Sequence, residues 1–373
     1  MIPVSKPKIT KQDINNILKS LKDGWISSDG PNVLKFEKKF ANYIGKKYCI
    51  SVSSGTAALE VAIKCLDLKK NDEVIIPNFT IISNAIAVIR QGAKPIFLDC
   101  KLDDWNIDIN ELQKKISKKT KAIIITHIYS FSNKMEQIIK ICKKNKIKIV
   151  EDAAEVVGLK YKNKFCGTFG DLGTFSFYAN KHITTGEGGM IFTNNIKLHN
   201  KFKLFKNLNF GKKDRFNHSE ISWNYRLTNM QASLGLSQFS RIKEIIRKKR
   251  FIGNFYFNKF KNNNKILVQP DKLDYARNIY WIYGIILKNK NKKFRKNLQK
   301  LLLKKRIETR PFFYPMHKQD IFIKKGYFKH GRYPYSEFLS SNGFYIPSGL
   351  NLTVKQLNYV ANTINNLLSD KPK

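Results

Sequence analysis

One lysine of this chain lies between an apolar run and a glycine-rich turn, in the segment YANKHITTGEGGM (residues 178–190). Most lysines must be solvated, because Lys and Arg number 69 against 28 Asp and Glu. Lys181 differs in its C-terminal neighbours, since the glycines of TTGEGG allow a tight turn with unusual backbone angles. A lysine held in a pocket with a lowered pKa can attack a carbonyl carbon and form a Schiff base. We predict this chemistry for Lys181.

Two acids lie at the end of a second apolar run, in IVEDAAEVVG (residues 149–158). Ligands of open α/β sheets bind beyond the carboxyl ends of the strands, and Asp152 is expected at such an end. A buried carboxylate in that place can hold a cationic ring nitrogen. Glu155, about one turn further on, is within reach of the same ligand. The alternative for Asp152 is an ordinary helix N-cap.

Small residues at a strand–helix junction, SSGTAAL (residues 53–59), predict an anion site. Gly55 lets the backbone approach a ligand closely, and Thr56 offers an amide and a hydroxyl. A helix N-terminus favours phosphate through its unpaired N–H groups and its dipole. Ser176, just before the lysine loop, can add a hydroxyl to the same phosphate. The alternative is simple helix capping, for which Ser and Thr are common.

These three features together are the protein groups that pyridoxal 5′-phosphate (PLP) requires: a phosphate site, a carboxylate for the ring nitrogen and a lysine. We therefore predict PLP as the cofactor. No metal is expected, because the five cysteines are widely spaced without a CxxC pair. That pattern is typical of reduced, mostly buried cysteines.

The elements that must position these residues alternate between strands and helices. Short apolar runs such as DEVIIP, KPIFLD and KAIIITH predict a mostly parallel sheet that is covered on both faces. LGTFSFY and GGMIFTN are β-rich and flank the lysine loop, and one long helical stretch is predicted from residue 228 onward. We predict a large α/β domain over residues 1–245 and a smaller C-terminal α+β domain over residues 246–373.

The composition is that of a folded globular protein, with 42% hydrophobic and 12% aromatic residues among 373. The apolar runs are too short to span a membrane, and the N-terminus shows no secretory signal. We expect a cytoplasmic enzyme without a membrane or nucleic-acid partner. The net charge of +41 is spread along the chain and indicates a compositional Lys/Ile/Asn bias. A non-catalytic, DNA-associated regulator is the alternative that this charge leaves open.

Ordered motifs over residues 1–245 resemble the DegT/DnrJ/EryC1/StrS family of PLP-dependent sugar aminotransferases. The resemblance implies the aspartate-aminotransferase-like fold, PLP fold type I. The motifs that carry it are GWISSDGP (24–31), FEKKFANYIG (36–45), SVSSGTAAL, DEVIIPNFT, EDAAEVVG, GTFSFYANKHITTGEGGM and WNYRLTNMQASLGLSQ (223–238). RPFFYPMH (310–317) matches more loosely.

The resemblance implies a role for each matching residue. Lys181 forms the Schiff base with PLP and moves protons, and Asp152 pairs with the pyridine nitrogen. Glu155 lies near the ring hydroxyl. The phosphate is held by Gly55, Thr56, Ser176 and, from the other subunit, Asn224, so that the active unit is a homodimer with a shared site. Arg226 and His317 are expected to contact the nucleotide sugar.

The implied reaction moves an amino group from glutamate to C4 of a nucleotide-linked 4-keto-6-deoxy sugar. GDP-4-keto-6-deoxymannose is the expected substrate, and a UDP- or dTDP-linked sugar is the alternative. Related dehydratases have histidine at the position of Lys181; here histidine is the next residue, His182, which favours transamination. The family often has an aromatic residue at the position of Ile81 to stack on the ring, a contact that Phe79 could make instead.

Overall fold

The computed structural model describes residues 1–211, 214–288, 291–328 and 331–369. The described strands are β1 (Tyr48–Val52), β2 (Glu73–Pro77), β3 (Lys94–Leu98), β4 (Thr120–Thr126), β5 (Lys148–Asp152), β6 (Lys160–Tyr161), β7 (Lys164–Phe165), β8 (Leu172–Ser176), β9 (Gly189–Thr193), β10 (Ile266–Leu267), β11 (Lys272–Leu273), β12 (Ala276–Arg277), β13 (Tyr283–Leu287), β14 (Arg310–Pro311) and β15 (Gly343–Ile346). The described helices are α1 (Lys11–Lys22), α2 (Pro31–Ile44), α3 (Gly55–Lys64), α4 (Ser83–Ile89), α5 (Ile109–Lys115), α6 (Met135–Lys144), α7 (Ile196–Phe205), α8 (Asn229–Ser240), α9 (Ile242–Phe260), α10 (Lys292–Lys304), α11 (Asp320–Lys324), α12 (Pro334–Asn342) and α13 (Val354–Leu368). Two short 3₁₀ turns cover Ile128–Ser130 and Met316–Lys318.

The central sheet has seven strands in the order β1-β9-β8-β5-β4-β2-β3. Strand β9 alone is antiparallel to its neighbours β1 and β8, and the other pairs are parallel. Its strands are rich in Ile, Val and Phe because helices cover both faces and leave little polar surface. The predicted α/β class with a mostly parallel sheet is confirmed.

The carboxyl ends of the parallel strands meet at one edge of this sheet. Asp152, the last residue of β5, is paired with Thr174 of β8, and Ser176 ends β8 opposite Gly189. Val52, the last residue of β1, also lies opposite Gly189. The residues just beyond these strands are therefore brought together by the sheet register.

Two smaller sheets complete the architecture. The sheet β10-β13-β15-β14 is antiparallel and packs against α9, α10 and α13. A four-stranded sheet in the order β11-β12-β6-β7 joins residues 272–277 to residues 160–165. The boundary predicted between residues 245 and 246 lies inside α9, and the division into two domains stays a prediction.

The helical stretch predicted from residue 228 consists of two helices rather than one. Thr228 caps α8, and Arg241 leaves the helical conformation with φ −105° and ψ 14°. Its guanidinium donates to both carboxylate oxygens of the buried Asp13, at 3.0 and 2.8 Å. This tertiary ion pair fixes a break that hydrophobic periodicity does not reveal.

All five cysteines are buried, as predicted. Among the residues that the structure describes, no helix combines the length and the apolarity that crossing a bilayer requires.

Candidate active site

Lys181 lies in the loop between β8 and β9, at the shared edge of the central sheet. Its backbone N–H donates to the Tyr178 carbonyl at 2.9 Å, and Gly186 has the left-handed φ of +83° expected of the turn. The side chain is half-buried, and its Nζ lies 3.5 Å from the ring centroid of Trp281. Burial lowers the pKa of Lys181, although the nearby Glu155 and Asp152 carboxylates act in the opposite direction. A lysine in such surroundings is available as a nucleophile.

Asp152 is a buried carboxylate at the end of β5. Its Oδ1 accepts from the Ala154 N–H at 3.2 Å, and its Oδ2 accepts from Asn84 Nδ2 at 3.2 Å. Burial raises the pKa of Asp152, and Lys181 offsets part of this effect. Residues 153–158 form turns, so the alternative role of Asp152 as a helix N-cap is wrong. A cationic group placed beside Asp152 would stabilise its ionised form.

Glu155 lies in the same buried cluster. Its Oε2 accepts from the Tyr129 N–H at 2.6 Å. Burial raises the pKa of Glu155, with Lys181 acting against the rise. Glu155 therefore offers a buried carboxyl group beside Lys181 that can form a hydrogen bond with a ligand. Its predicted position near the ring hydroxyl stays a prediction.

Gly55, Thr56 and Ser176 meet where α3 begins. Ser54 is the N-cap of α3, and its hydroxyl accepts from the Ala57 N–H at 3.0 Å. Gly55 and Thr56 are the first two residues of the helix, and their backbone N–H groups have no acceptor within the described residues. The Thr56 hydroxyl lies 2.8 Å from Ser83 Oγ. A Cβ added at Gly55 would lie 2.8 Å from the Ser176 Cβ, so only glycine fits there without displacement. We call Gly55, Thr56 and Ser176 the cradle; its open amides suit a phosphate.

Asn224 does not join the cradle of its own chain. It is exposed between Trp223 and Tyr225, whose rings stack 5.3 Å apart. The Tyr225 hydroxyl donates to the buried Glu60 at 2.6 Å and fixes this segment on α3. Successive residues of an extended segment point in opposite directions, so the Asn224 side chain is free to face another subunit. Its role in a partner's site stays a prediction.

The two residues expected to contact the nucleotide sugar, Arg226 and His317, form their hydrogen bonds with residues other than Lys181. Arg226 Nη1 donates to Asn207 Oδ1 at 2.7 Å. His317 bonds Asn78 through Nδ1 and Glu337 through Nε2, the latter at 3.1 Å. His317 also lines a cavity of about 800 Å³ together with Phe97, Lys318, Phe328, Arg332 and Tyr333. Both substrate roles stay predictions.

Comparison with protein families decides between the chemistries that this geometry allows. A model of the DegT/DnrJ/EryC1/StrS aminotransferase family matches residues 7–365. The chain belongs to this family. The predicted PLP-dependent sugar aminotransferase is confirmed at this level, and the alternative of a non-catalytic regulator is not supported.

Individual relatives of the aminotransferase cover almost its full length. GDP-perosamine synthase of Escherichia coli O157:H7 is 38% identical over 370 residues, which are 99% of each chain. The structure of Helicobacter pylori PseC, an aminotransferase of pseudoaminic acid biosynthesis, has a TM-score of 0.93 at 27% identity and covers 98% of both chains. A variant of GDP-4-keto-6-deoxymannose-3-dehydratase (ColD) with bound GDP-perosamine has a TM-score of 0.89 at 25% identity, covering 98% of this chain and 100% of that one.

The residues present in the aminotransferase fit PLP. The cradle offers unpaired backbone N–H groups for a phosphate. Asp152 is a buried acid whose hydrogen bonds come from neutral groups and which forms no salt bridge within the described residues. Two buried amide oxygens, Oδ1 of Asn84 and Oδ1 of Asn180, have no hydrogen-bond partner within the described chain. Both belong to residues that adjoin Asp152 or Lys181. Unpaired buried polar groups are rare in folded proteins and are typical of ligand sites.

Sequence reasoning missed several residues of the site. Asn84 looked like an ordinary polar residue of a helix, and Trp281 looked like part of an apolar strand. Trp281 is 100 positions from Lys181, and no spacing rule links them. Phe79, considered as a ring-stacking residue, is fully buried against Tyr129, Phe312 and Phe313, so its ring is not open to a ligand. Ile81, which occupies the position where the family often has the ring-stacking aromatic residue, is 42% exposed.

Filling the cradle is expected to weaken PLP binding. The Gly55→Ala substitution forces the new Cβ against Ser176, and such overpacking should raise the dissociation constant roughly ten- to a hundredfold. Absorbance titration of the PLP-free chain measures it. Adding Ser176→Gly removes the contacted Cβ, so the double variant should bind PLP more tightly than the two single effects predict when added. Unchanged affinity in Gly55→Ala would exclude the cradle as the phosphate site.

Proposed function

We propose that this aminotransferase moves an amino group from glutamate to C4 of GDP-4-keto-6-deoxymannose and so produces GDP-perosamine. One observation carries the proposal: Lys181 lies beside two buried acids at the same sheet edge as an open phosphate cradle. The 38% identity with a GDP-perosamine synthase supports the choice of sugar. The GDP-perosamine bound by ColD, a protein of the same fold, supports it further.

Each residue of the candidate site has its own role in the proposed reaction. PLP, when bound, supplies an electron sink for the carbon that loses or gains a proton. Lys181 would hold the cofactor through a covalent link, and its free amine would carry that proton at Nζ as a general acid and base. Asp152 would pair with the ring nitrogen and favour its charged form, and the cradle would hold the phosphate. Glu155, a buried acid beside Lys181, would lie near the ring hydroxyl.

Transamination rather than dehydration is supported by the surroundings of His182. Its Nε2 bonds the Ile279 carbonyl at 3.0 Å, and the residue is buried. Burial, with the nearby Lys249 charge, lowers the pKa of His182 to about 3. The imidazole is therefore neutral and held in the core, and Lys181 is the base beside Asp152.

The wider setting is inferred from the same chemistry. We infer a homodimer in which Asn224 completes the partner's phosphate site, because the segment is anchored through Glu60 while Asn224 stays exposed. The dominant basic charge suits a diphosphate-linked substrate. A cytoplasmic location and a role in lipopolysaccharide O-antigen synthesis fit a nucleotide sugar as the substrate. No nucleic-acid or membrane partner is needed.

A substrate panel tests the proposal against its alternative. Purified protein with PLP and glutamate is offered GDP-4-keto-6-deoxymannose and the dTDP- and UDP-4-keto-6-deoxyglucose sugars in competition, and mass spectrometry identifies the aminated product. A strong preference for the GDP sugar is expected. Preference for the dTDP or UDP sugar would move the substrate but keep the chemistry. Amination of none would contradict the proposal.

A further inference from the structure

Trp281 touches the reactive atom of the proposed site from outside the central sheet. It precedes β13, in the segment that leads into the small antiparallel sheet, and only 6% of it is exposed. The Lys181 Nζ lies over its indole ring, 3.5 Å from the ring centroid. A cation over an aromatic face is attracted by the ring quadrupole, most strongly for Trp and where water is excluded.

Hydrogen bonds to the indole and to both backbone polar groups hold Trp281 in this position. Its Nε1–H donates to the Asn180 carbonyl at 2.9 Å, next to Lys181 itself. Its backbone N–H donates to Ser130 Oγ. Its carbonyl accepts from the buried Lys249 Nζ at 2.7 Å, and the same Nζ donates to the Ser348 carbonyl at 2.7 Å. The indole ring is therefore held in place beside Lys181 before any ligand binds.

The Ser130 contact links Trp281 to Glu155. Tyr129 and Ser130 both have left-handed backbone angles, with φ of +49° and +80°, although neither is glycine. The Tyr129 N–H bonds Glu155, and Ser130 Oγ lies 3.4 Å from the Glu155 carbonyl oxygen. Strained backbone of this kind persists where the surroundings enforce it, often at functional sites. The strained turn thus holds both Trp281 and Glu155 close to Lys181.

We propose that Trp281 is a further catalytic residue, whose indole face stabilises the ammonium form of Lys181 whenever that lysine is not bonded to the cofactor. The proposal rests on the proposed function for its catalytic meaning. Lys181 must hold a proton between its removal from one carbon and its delivery to another. An aromatic face favours the charged form without offering an acceptor that would take the proton away.

Other charged and titratable groups around Lys181 must stay constant in a test. They are Asp152 and Glu155 on the large sheet side, His182 beside it in the chain, and Lys249 on α9. Substituting Trp281 alone leaves all four in place. A difference in the titration midpoint of Lys181 between the variants and wild type then measures the effect of the indole ring.

The test measures the protonation of free Lys181 in the full chain, both without ligand and with pyridoxamine 5′-phosphate, which cannot form a Schiff base with lysine. Brief acetylation with acetic anhydride at a series of pH values, read by peptide mass spectrometry, gives the midpoint for Lys181. In Trp281→Leu the midpoint should fall by about one pH unit, because burial remains while the aromatic face is lost. Trp281→Phe should lie between Leu and wild type.

Tyr280→Phe is the matched control, because Tyr280 precedes Trp281 in the chain but has other contacts. Its hydroxyl donates to Asp271, and its ring stacks on Tyr283. Its midpoint should equal that of wild type. An unchanged or raised midpoint in Trp281→Leu would overturn the proposal. If Trp281→Leu does not fold, Trp281→Phe decides: a lowered midpoint supports the proposal and an unchanged one overturns it. The ligand-free arm requires no substrate, so this outcome is independent of the sugar panel.

Discussion

Replacing Lys181 with alanine is expected to lower the amination rate by on the order of 10⁴-fold while the fold is retained. In the proposed mechanism Lys181 supplies both the covalent link and the proton carrier, and none of its neighbours can replace it. Asp152 and Glu155 are acids, and the His182 imidazole is held by the Ile279 carbonyl. Steady-state rates and the circular dichroism spectrum are the measurements.

Two comparisons make the Lys181→Ala result specific. Lys197→Ala removes an exposed lysine of α7 and should keep the wild-type rate, which controls for the loss of one positive charge. A small primary amine added to Lys181→Ala should restore part of the rate, since the missing group is itself an amine. A wild-type rate in Lys181→Ala would show that another residue carries the chemistry.

Asp152→Asn is expected to lower turnover at least about 100-fold, because under the proposed function the ring nitrogen loses the negative charge that keeps it protonated. The same change should leave the free energy of unfolding of the PLP-free chain equal or higher. Burial raises the pKa of Asp152, so its ionised form costs stability once the pH exceeds the unfolded value of about 3.9. Asparagine removes that cost. Asn84 can turn its unpaired Oδ1 to accept from the new amide.

The opposite signs of the two effects distinguish a catalytic role from a structural one. Denaturant unfolding at neutral pH and steady-state kinetics measure them on the same preparation. Asp274→Asn, at an exposed acid, controls for the change in net charge and should alter neither quantity. Near-normal turnover in Asp152→Asn would contradict the assigned role. A large loss of stability would show that the carboxylate serves the fold.

The sequence was sufficient to predict Asp152, Ser176 and Lys181 as one site because the sheet itself brings them together. Parallel strands place their carboxyl ends at one edge, so residues after β5 and β8 become neighbours in any sheet of this class. The position of Gly55 at this edge was predictable for a similar reason, and its role in phosphate binding stays a prediction. A helix must begin after β1, and its first amides lie at the same edge.

Residues whose positions depend on tertiary packing could not be predicted. Trp281 reaches Lys181 only because Lys249, Ser130 and Asn180 fix its orientation, and these three come from separate elements. The break at Arg241 depends in the same way on Asp13, more than 200 residues away. Neither contact has a signature in spacing or hydrophobic period.

Nitrogen transfer tests the central claim most directly. The PLP-loaded protein is given ¹⁵N-glutamate and GDP-4-keto-6-deoxymannose, and the product is analysed by mass spectrometry. We predict a GDP-linked 4-amino-4,6-dideoxy sugar that carries ¹⁵N, with 2-oxoglutarate formed in equal amount. A sugar that gains no nitrogen, or one that loses its 3-hydroxyl instead, would contradict the claim.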